Sequence, residues 1–208
     1  MWRAFDFVIC VLLSPTRVFM NWRRYGKPDQ RDAAMVFAWT RMFFWLAVVL
    51  CGFFLIIEQF TLASAGFWLP LRIGVFVIAL SRCNETVIAF ANDARQWLEG
   101  KPYNRYISPV HRIGFVIQSY AEIWLFFALI ACCLPAGMYD PPMDGDILTA
   151  IYFSGAAITT LGYGDIHPTH WVSRLLAIYE AMSGLFLSIL AIGVYISQIV
   201  RRVDDPEA

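Results

Sequence analysis

The chain has 208 residues, of which 59% are hydrophobic and 15% charged, and its formal net charge is zero. A soluble domain of this length carries roughly a quarter charged residues, and the neutral balance points to no nucleic-acid partner. Charges gather between long uncharged stretches, the pattern of an all-α integral membrane protein that sits in a lipid bilayer.

Residues 1–36 read as a cytoplasmic N-terminal segment with an interfacial helix, anchored by Trp2, Phe5, Phe19 and Trp22. A secretory signal does not fit. Asp6 interrupts the basic start, Pro15 and Arg17 follow the apolar run, and there is no clear small-x-small site. A spanning helix needs about 20 mostly apolar residues. Four segments qualify, at 39–60, 67–90, 112–138 and 171–200.

The first two spans make a two-helix membrane domain over 37–91. Arg72 and Arg82 bracket the uncharged core of the second. A voltage sensor wants Arg or Lys repeated at every third place on one helix. These two stand apart, so the helix pair reads as a packing or regulatory element. A cytoplasmic linker follows at 92–111, where Gly100, Pro102 and Pro109 mark a loop. The last two spans bound a domain over 112–202, and 203–208 form a cytoplasmic tail. No stretch is long enough for a soluble ligand-binding domain.

The segment 147–159 is too short to span and follows Asp144 and Asp146, good N-capping residues. A half-membrane helix is tolerated only where protein buries it or where it lines a cavity. It leads directly into Thr159-Thr160-Leu161-Gly162-Tyr163-Gly164-Asp165. A potassium ion sheds its water only if other oxygens replace it. Successive backbone carbonyls can do so if all face one axis, which demands left-handed residues at intervals. Glycine adopts that conformation freely and other L-residues resist it. Gly162 and Gly164, alternating with Leu161 and Tyr163, meet the requirement. Thr160 can add a hydroxyl ring at the inner end.

Lysine and arginine fix the orientation. Arg17, Arg23, Arg24, Lys27 and Arg31 precede the first span. Arg95, Lys101, Arg105 and Arg112 lie between the second and third, and Arg201 and Arg202 follow the fourth. The stretches 59–66 and 138–169 have neither residue type. The positive-inside rule puts both termini in the cytoplasm of a multi-pass protein of the cell membrane, with the glycine-rich loop near the outer face. Cys10, Cys51, Cys83, Cys132 and Cys133 all lie in apolar segments and read as free thiols.

The run 160–165 resembles the potassium-channel signature T-x-G-Y-G-D, with Leu161 at the variable place. The resemblance covers roughly 112–200 and is to bacterial potassium channels without a voltage sensor. It implies an outer helix, a re-entrant pore helix, a filter loop and an inner helix. One such loop cannot surround an axis, so a C4 homotetramer is implied. K+ is then the permeant ligand, bound at Thr160, Leu161, Gly162 and Tyr163, with Gly164 completing the filter. No other cofactor is implied.

In the family, the aspartate at Asp165 braces the filter from behind. Many bacterial members pair it with a pore-helix glutamate, but here that place is Ala156. Tyr152, two helical turns before Thr160, is the candidate partner, with a core tyrosine bonded elsewhere as the alternative. Glu180 is an acid within a span, a rare residue that tends to face protein or water. It can support the filter in place of the missing glutamate, or be a solvated or protonated residue near the outer interface. Glu122, with Gln118, sits toward the inner half of the third span.

Gly184 falls where the family has its inner-helix hinge; close helix packing is the other reading, and Gly193 has the same two. Ser188, Ile192 and Ile196 follow at helical spacing and could line the inner cavity or contact other helices. His167 falls where the family faces the outer vestibule, so it is the candidate for a proton-sensitive ring at the mouth. His170 is read as a surface residue. Asp140, Asp144 and Asp146 could concentrate cations or merely cap and solubilise the loop.

No nucleophile–base pair or metal constellation supports an enzyme. The expected function is a K+-selective channel conducting passively. The alternatives are a weakly selective monovalent cation channel and a pore-loop potassium transporter subunit. The latter needs four repeats in one chain, and only one copy is present.

Overall fold

A computed structural model describes residues 30–59, 65–98, 109–135, 137–143, 146–191, 193 and 196. The described chain is helical, with α1 at Gln30–Gln59, α2 at Ala65–Leu98, α3 at Pro109–Cys133, α4 at Ile147–Ile158 and α5 at Trp171–Leu185. A π-helical stretch, Phe186–Ala191, continues from α5. Two short strands, β1 (Tyr139–Asp140) and β2 (His167–Pro168), pair antiparallel, with Asp140 opposite His167. No residue pattern signals this ladder, which only the return of the chain after α4 brings together.

Among the described residues, three helical stretches are long and apolar enough to cross a membrane: Leu69–Asn92, Ile113–Cys133 and Trp171–Ile189. The apolar runs Thr40–Ile56 in α1 and Ile147–Ile158 in α4 are shorter. Residues 30–36, expected in the N-terminal segment, are the first turns of α1, and 92–98 extend α2 into the expected linker. The third span was expected to reach Met138, but α3 ends at Cys133. Pro135 has no N–H for a helical bond and restricts the residue before it, so the chain turns there. The interfacial helix expected in 1–29, Cys10, Asp144, Ile192 and the tail 203–208 lie outside the described residues.

Helix α3 is the centre of the described chain. Its Ile123, Phe126, Phe127, Leu129 and Ile130 are buried. Ala47, Cys51 and Phe54 of α1, Val75, Ala79 and Cys83 of α2, and Ile147, Ala150 and Phe153 of α4 join them in one core. Of the apolar stretch of α3, 61% is buried within the protomer, against 28% for that of α5. Trp171, Leu175, Ile178, Met182, Leu185 and Ile189 are exposed at helical spacing along α5 and its extension. Cys51, Cys83, Cys132 and Cys133 are free thiols.

Candidate functional site

Helix α4 begins at a complete cap. Asp146 Oδ1 accepts from the backbone N–H of Leu148 at 2.9 Å and of Thr149 at 3.0 Å. Thr149 Oγ1 also donates to Asp146 Oδ2. Burial alone would raise the pKa of this carboxyl, but the bonds from Thr149 and Leu148 outweigh it and hold the group below its usual range. A carboxylate here also complements the positive end of the helix.

The rear of α4 is gripped from two helices. On α3, Trp124 Nε1 donates to Ile151 O at 2.9 Å and Tyr120 Oη donates to Ile158 O at 3.1 Å. A Cβ at Gly155 would come 3.3 Å from the Trp124 indole nitrogen, so the glycine admits the ring. Ser154 Oγ donates to Trp124 O at 2.9 Å and is also hydrogen-bonded to Glu180 Oε1. Glu180 is 2% exposed and packs behind α4, not at a solvated surface. On the same helix, a Cβ at Gly184 would sit 2.6 Å from Ile158 O. The bare Cα of Gly184 is therefore what lets α5 touch the end of α4.

The end of α4 satisfies its own carbonyls while turning into the glycine-rich strand. Gly155 O accepts from Thr159 N, and Ala157 O accepts from Thr160 N at 3.0 Å. Ala156 O accepts from both Leu161 N at 2.9 Å and Gly162 N at 3.2 Å. The N–H groups of 160–162 thus turn back to the helix. Among the described residues, the carbonyls of 160–164 accept no hydrogen bond.

Backbone handedness alternates through this strand. Thr160 has φ +57°, Gly162 +56° and Gly164 +78°, and Leu161 and Tyr163 between them do not share it. The two glycines follow from their lack of a Cβ. Thr160 does not, because a β-branched residue at positive φ is an outlier. No residue pattern in the sequence flagged it. Its Oγ1 donates to Thr159 O at 2.7 Å, so the hydroxyl is engaged locally. The strand 159–165 is exposed along its whole length, with Leu161 at 58% and Tyr163 at 65%.

Beside the strand, Tyr152 Oη donates to Asp165 Oδ2 at 2.6 Å. The Tyr152 and Tyr163 rings stack with centroids 6.1 Å apart and planes 6° from parallel. Tyr152 therefore touches the strand at two residues. Ser188 and Ile196 are exposed, and Ser188 lies within hydrogen-bonding reach of Tyr120. The backbone just beyond Gly184 is π-helical. Gly193 is also exposed, with nothing near a Cβ built on it.

The exit from the strand is held by bonds to the segment after α3. Thr169 N donates to Met138 O at 3.0 Å, and Ser173 Oγ donates to the same oxygen at 2.7 Å. His167 Nε2 stands 4.0 Å from Asp140 Oδ2 across the β1–β2 pair, and both side chains are exposed. His170, read from sequence as a plain surface residue, caps α5: its Nδ1 accepts from Val172 N at 3.3 Å. Sequence reasoning also missed Tyr120, Trp124 and Ser154. Each looks like ordinary helix filling until the helix it contacts is known.

Residues 119–201 match the family model described as "Ion channel". Over 120 residues the chain is 27% identical to potassium channel subfamily T member 1 of Homo sapiens, a match that covers 54% of this chain and 9% of that protein. The chain thus spans less than a tenth of the relative's length. No solved structure matches significantly. The similarity is thus to ion channels, over the part of the chain that carries α4, the glycine-rich strand and α5.

Proposed function

We propose that four copies of the chain surround one axis and conduct K+ selectively and passively, the strand 160–164 of each lining a common filter. The alternating handedness at Thr160, Gly162 and Gly164 carries this reading. Alternation turns successive peptide groups so that consecutive carbonyls can share one direction. The N–H groups at the start of the strand already have partners on α4, which leaves the carbonyls for an ion. Four such strands offer rings of oxygens in place of the hydration shell of K+. The similarity to a protein named as a potassium channel supports the choice of ion.

The remaining residues take supporting parts in this reading. Asp165, held by Tyr152, braces the outer end of the filter. Glu180 supports the pore helix through Ser154. Ser154 has one hydroxyl proton and two oxygen partners, so a proton on Glu180 gives every contact in that row a donor. Gly184, followed by a π-helical stretch, is where the inner helix can bend. Ser188 and Ile196 line the inner cavity, and His167 stands at the outer mouth. The exposed apolar face of α5 is covered by neighbouring subunits and lipid. Helix α1 completes four spans, with both termini cytoplasmic.

Purified protein should run as a tetramer and, in proteoliposomes, pass K+ and Rb+ well ahead of Na+. Equal Na+ and K+ flux would replace this reading with a weakly selective cation channel. A dimer as the conducting species would sink the architecture.

A further inference from the structure

Three charged side chains meet between helices, away from the filter. Arg82 of α2 is 8% exposed and Glu122 of α3 is 1% exposed. Arg82 Nε and Nη2 donate to Glu122 Oε1 at 3.1 and 2.7 Å, and Nη1 donates to Glu85 Oε2 at 2.6 Å. The guanidinium carbon lies 3.9 Å from the centre of the Phe43 ring on α1. Both Arg82 and Glu122 fall inside the membrane-crossing stretches Leu69–Asn92 and Ile113–Cys133. One group therefore gathers α1, α2 and α3.

Packing alone does not call for these charges. Apolar residues of similar volume stabilise a buried contact as well as an ion pair or better. Charges inside a span are costly and mark function. What an ion pair adds is position, because it tolerates few arrangements. Glu122 lies two residues from both Tyr120 and Trp124, a rotation of about 200° around a helix. Tyr120 and Trp124 grip the pore helix, so Arg82 holds the opposite side of α3. A second tie runs directly to α5. Tyr179 Oη donates to Asn84 Oδ1 on α2 at 2.5 Å, and its ring packs edge-on to Phe127 of α3.

We propose that Arg82 is a positioning residue of the pore: by pairing with Glu122 it fixes α3 against the pore helix, so that the N-terminal helix pair sets how often the pore conducts. The proposal rests on the channel reading above. Arg82 is shared between Glu85 on its own helix and Glu122 on the next. Moving α2 away from α3 leaves the arginine one carboxylate and deprives Glu122 of its guanidinium. Two arrangements of the same three side chains are thereby available, the kind of element through which one region biases another.

The test uses full-length tetramers in planar bilayers. R82Q and E122Q should each lower open probability about tenfold, with unit conductance and the K+/Na+ permeability ratio at wild-type values. The double variant R82Q/E122Q should match the single ones, and R82K should recover part of the loss. If a single variant fails to assemble, the uncharged double variant is compared with wild type, and the same fall is expected. Hydrogen exchange of the α4 backbone amides supplies a readout that needs no conduction. It should rise in R82Q and E122Q but not in Val77→Ala, at an exposed position of α2. Wild-type open probability and exchange in the variants would overturn the proposal. So would additive effects in the double variant, or selectivity lost in step with open probability. Wild-type tetramers that pass no cation would defeat the channel reading instead, and the exchange result would then decide this proposal alone.

Discussion

The front and the rear of α4 and the strand that follows it are built on opposite terms. At the rear, α4 is enclosed: Ser154 is fully buried, Glu180 nearly so, and Gly184 touches the terminal carbonyl of Ile158. At the front, the strand 159–165 is exposed in the protomer, and a Cβ at Gly162 or Gly164 would meet nothing within 4 Å. The rear is held by contacts the chain makes with itself. The front is held by backbone conformation and by a few bonds at its two ends. It follows that the rear should be sensitive in folding and the front in conduction.

Gly164→Ala offers the largest contrast. The added methyl has free space, yet it places an L-residue at φ +78°, at a cost of about 1–2 kcal/mol in each subunit. Conduction should vanish while the tetramer still assembles, its melting temperature lowered only by this strain. Retained K+-selective current would show that this strand is not the filter.

Gly184→Ala reverses the pattern. Its Cβ meets backbone, which has little freedom to yield, at 2.6 Å. Overpacking of this kind costs about 1–3 kcal/mol. Thermal unfolding of the purified protein should show the loss, and an unchanged melting temperature would mean that α5 does not press on Ile158.

Tyr152→Phe lies at the border of the two regions. It removes the bond to Asp165 but keeps a ring to stack on Tyr163. Assembly should be unaffected, and sustained K+ current should decay faster than in wild type. A variant whose current persists as long as wild type would separate Asp165 from filter support.

Asp146→Ala should have the smallest effect, a loss of about 1 kcal/mol of helix capping. Because the pKa of Asp146 is lowered in the fold, its stabilisation is present above the ordinary carboxylate range and is lost as pH falls through the lowered value. The difference in melting temperature between wild type and variant should thus be constant near neutrality and close only in acid. A gap that closes at mildly acidic pH would show that the cap bonds do not hold the carboxylate.

The legible parts of the sequence were those with a local physical rule. Long apolar runs marked the helices, Asp146 marked the start of α4, and the glycines marked where left-handed backbone is cheap. Tyr152 and Asp165 were legible as a pair because two turns of helix bring position 152 back alongside the strand. The ends of α2 and α3 were not, since uncharged length decides where a membrane could begin but not where a helix stops. His170 was read as a surface residue because a cap is defined by the turn that follows it.

Handedness at Gly162 and Gly164, the short helix before them and the apolar spans were determined by the sequence alone, because each depends on a residue and its near neighbours. The left-handed turn at Thr160 is local too, held by the N–H groups of 160–162 on the carbonyls of Ala156 and Ala157, but no residue type announced it. The burial of Glu180 against Ser154 and the meeting of Arg82 with Glu122, forty residues apart, were decided by the tertiary structure. An isolated charge in an apolar helix announces that it needs a partner, since burying it alone is too costly. Only the packing of whole helices selects which partner it finds.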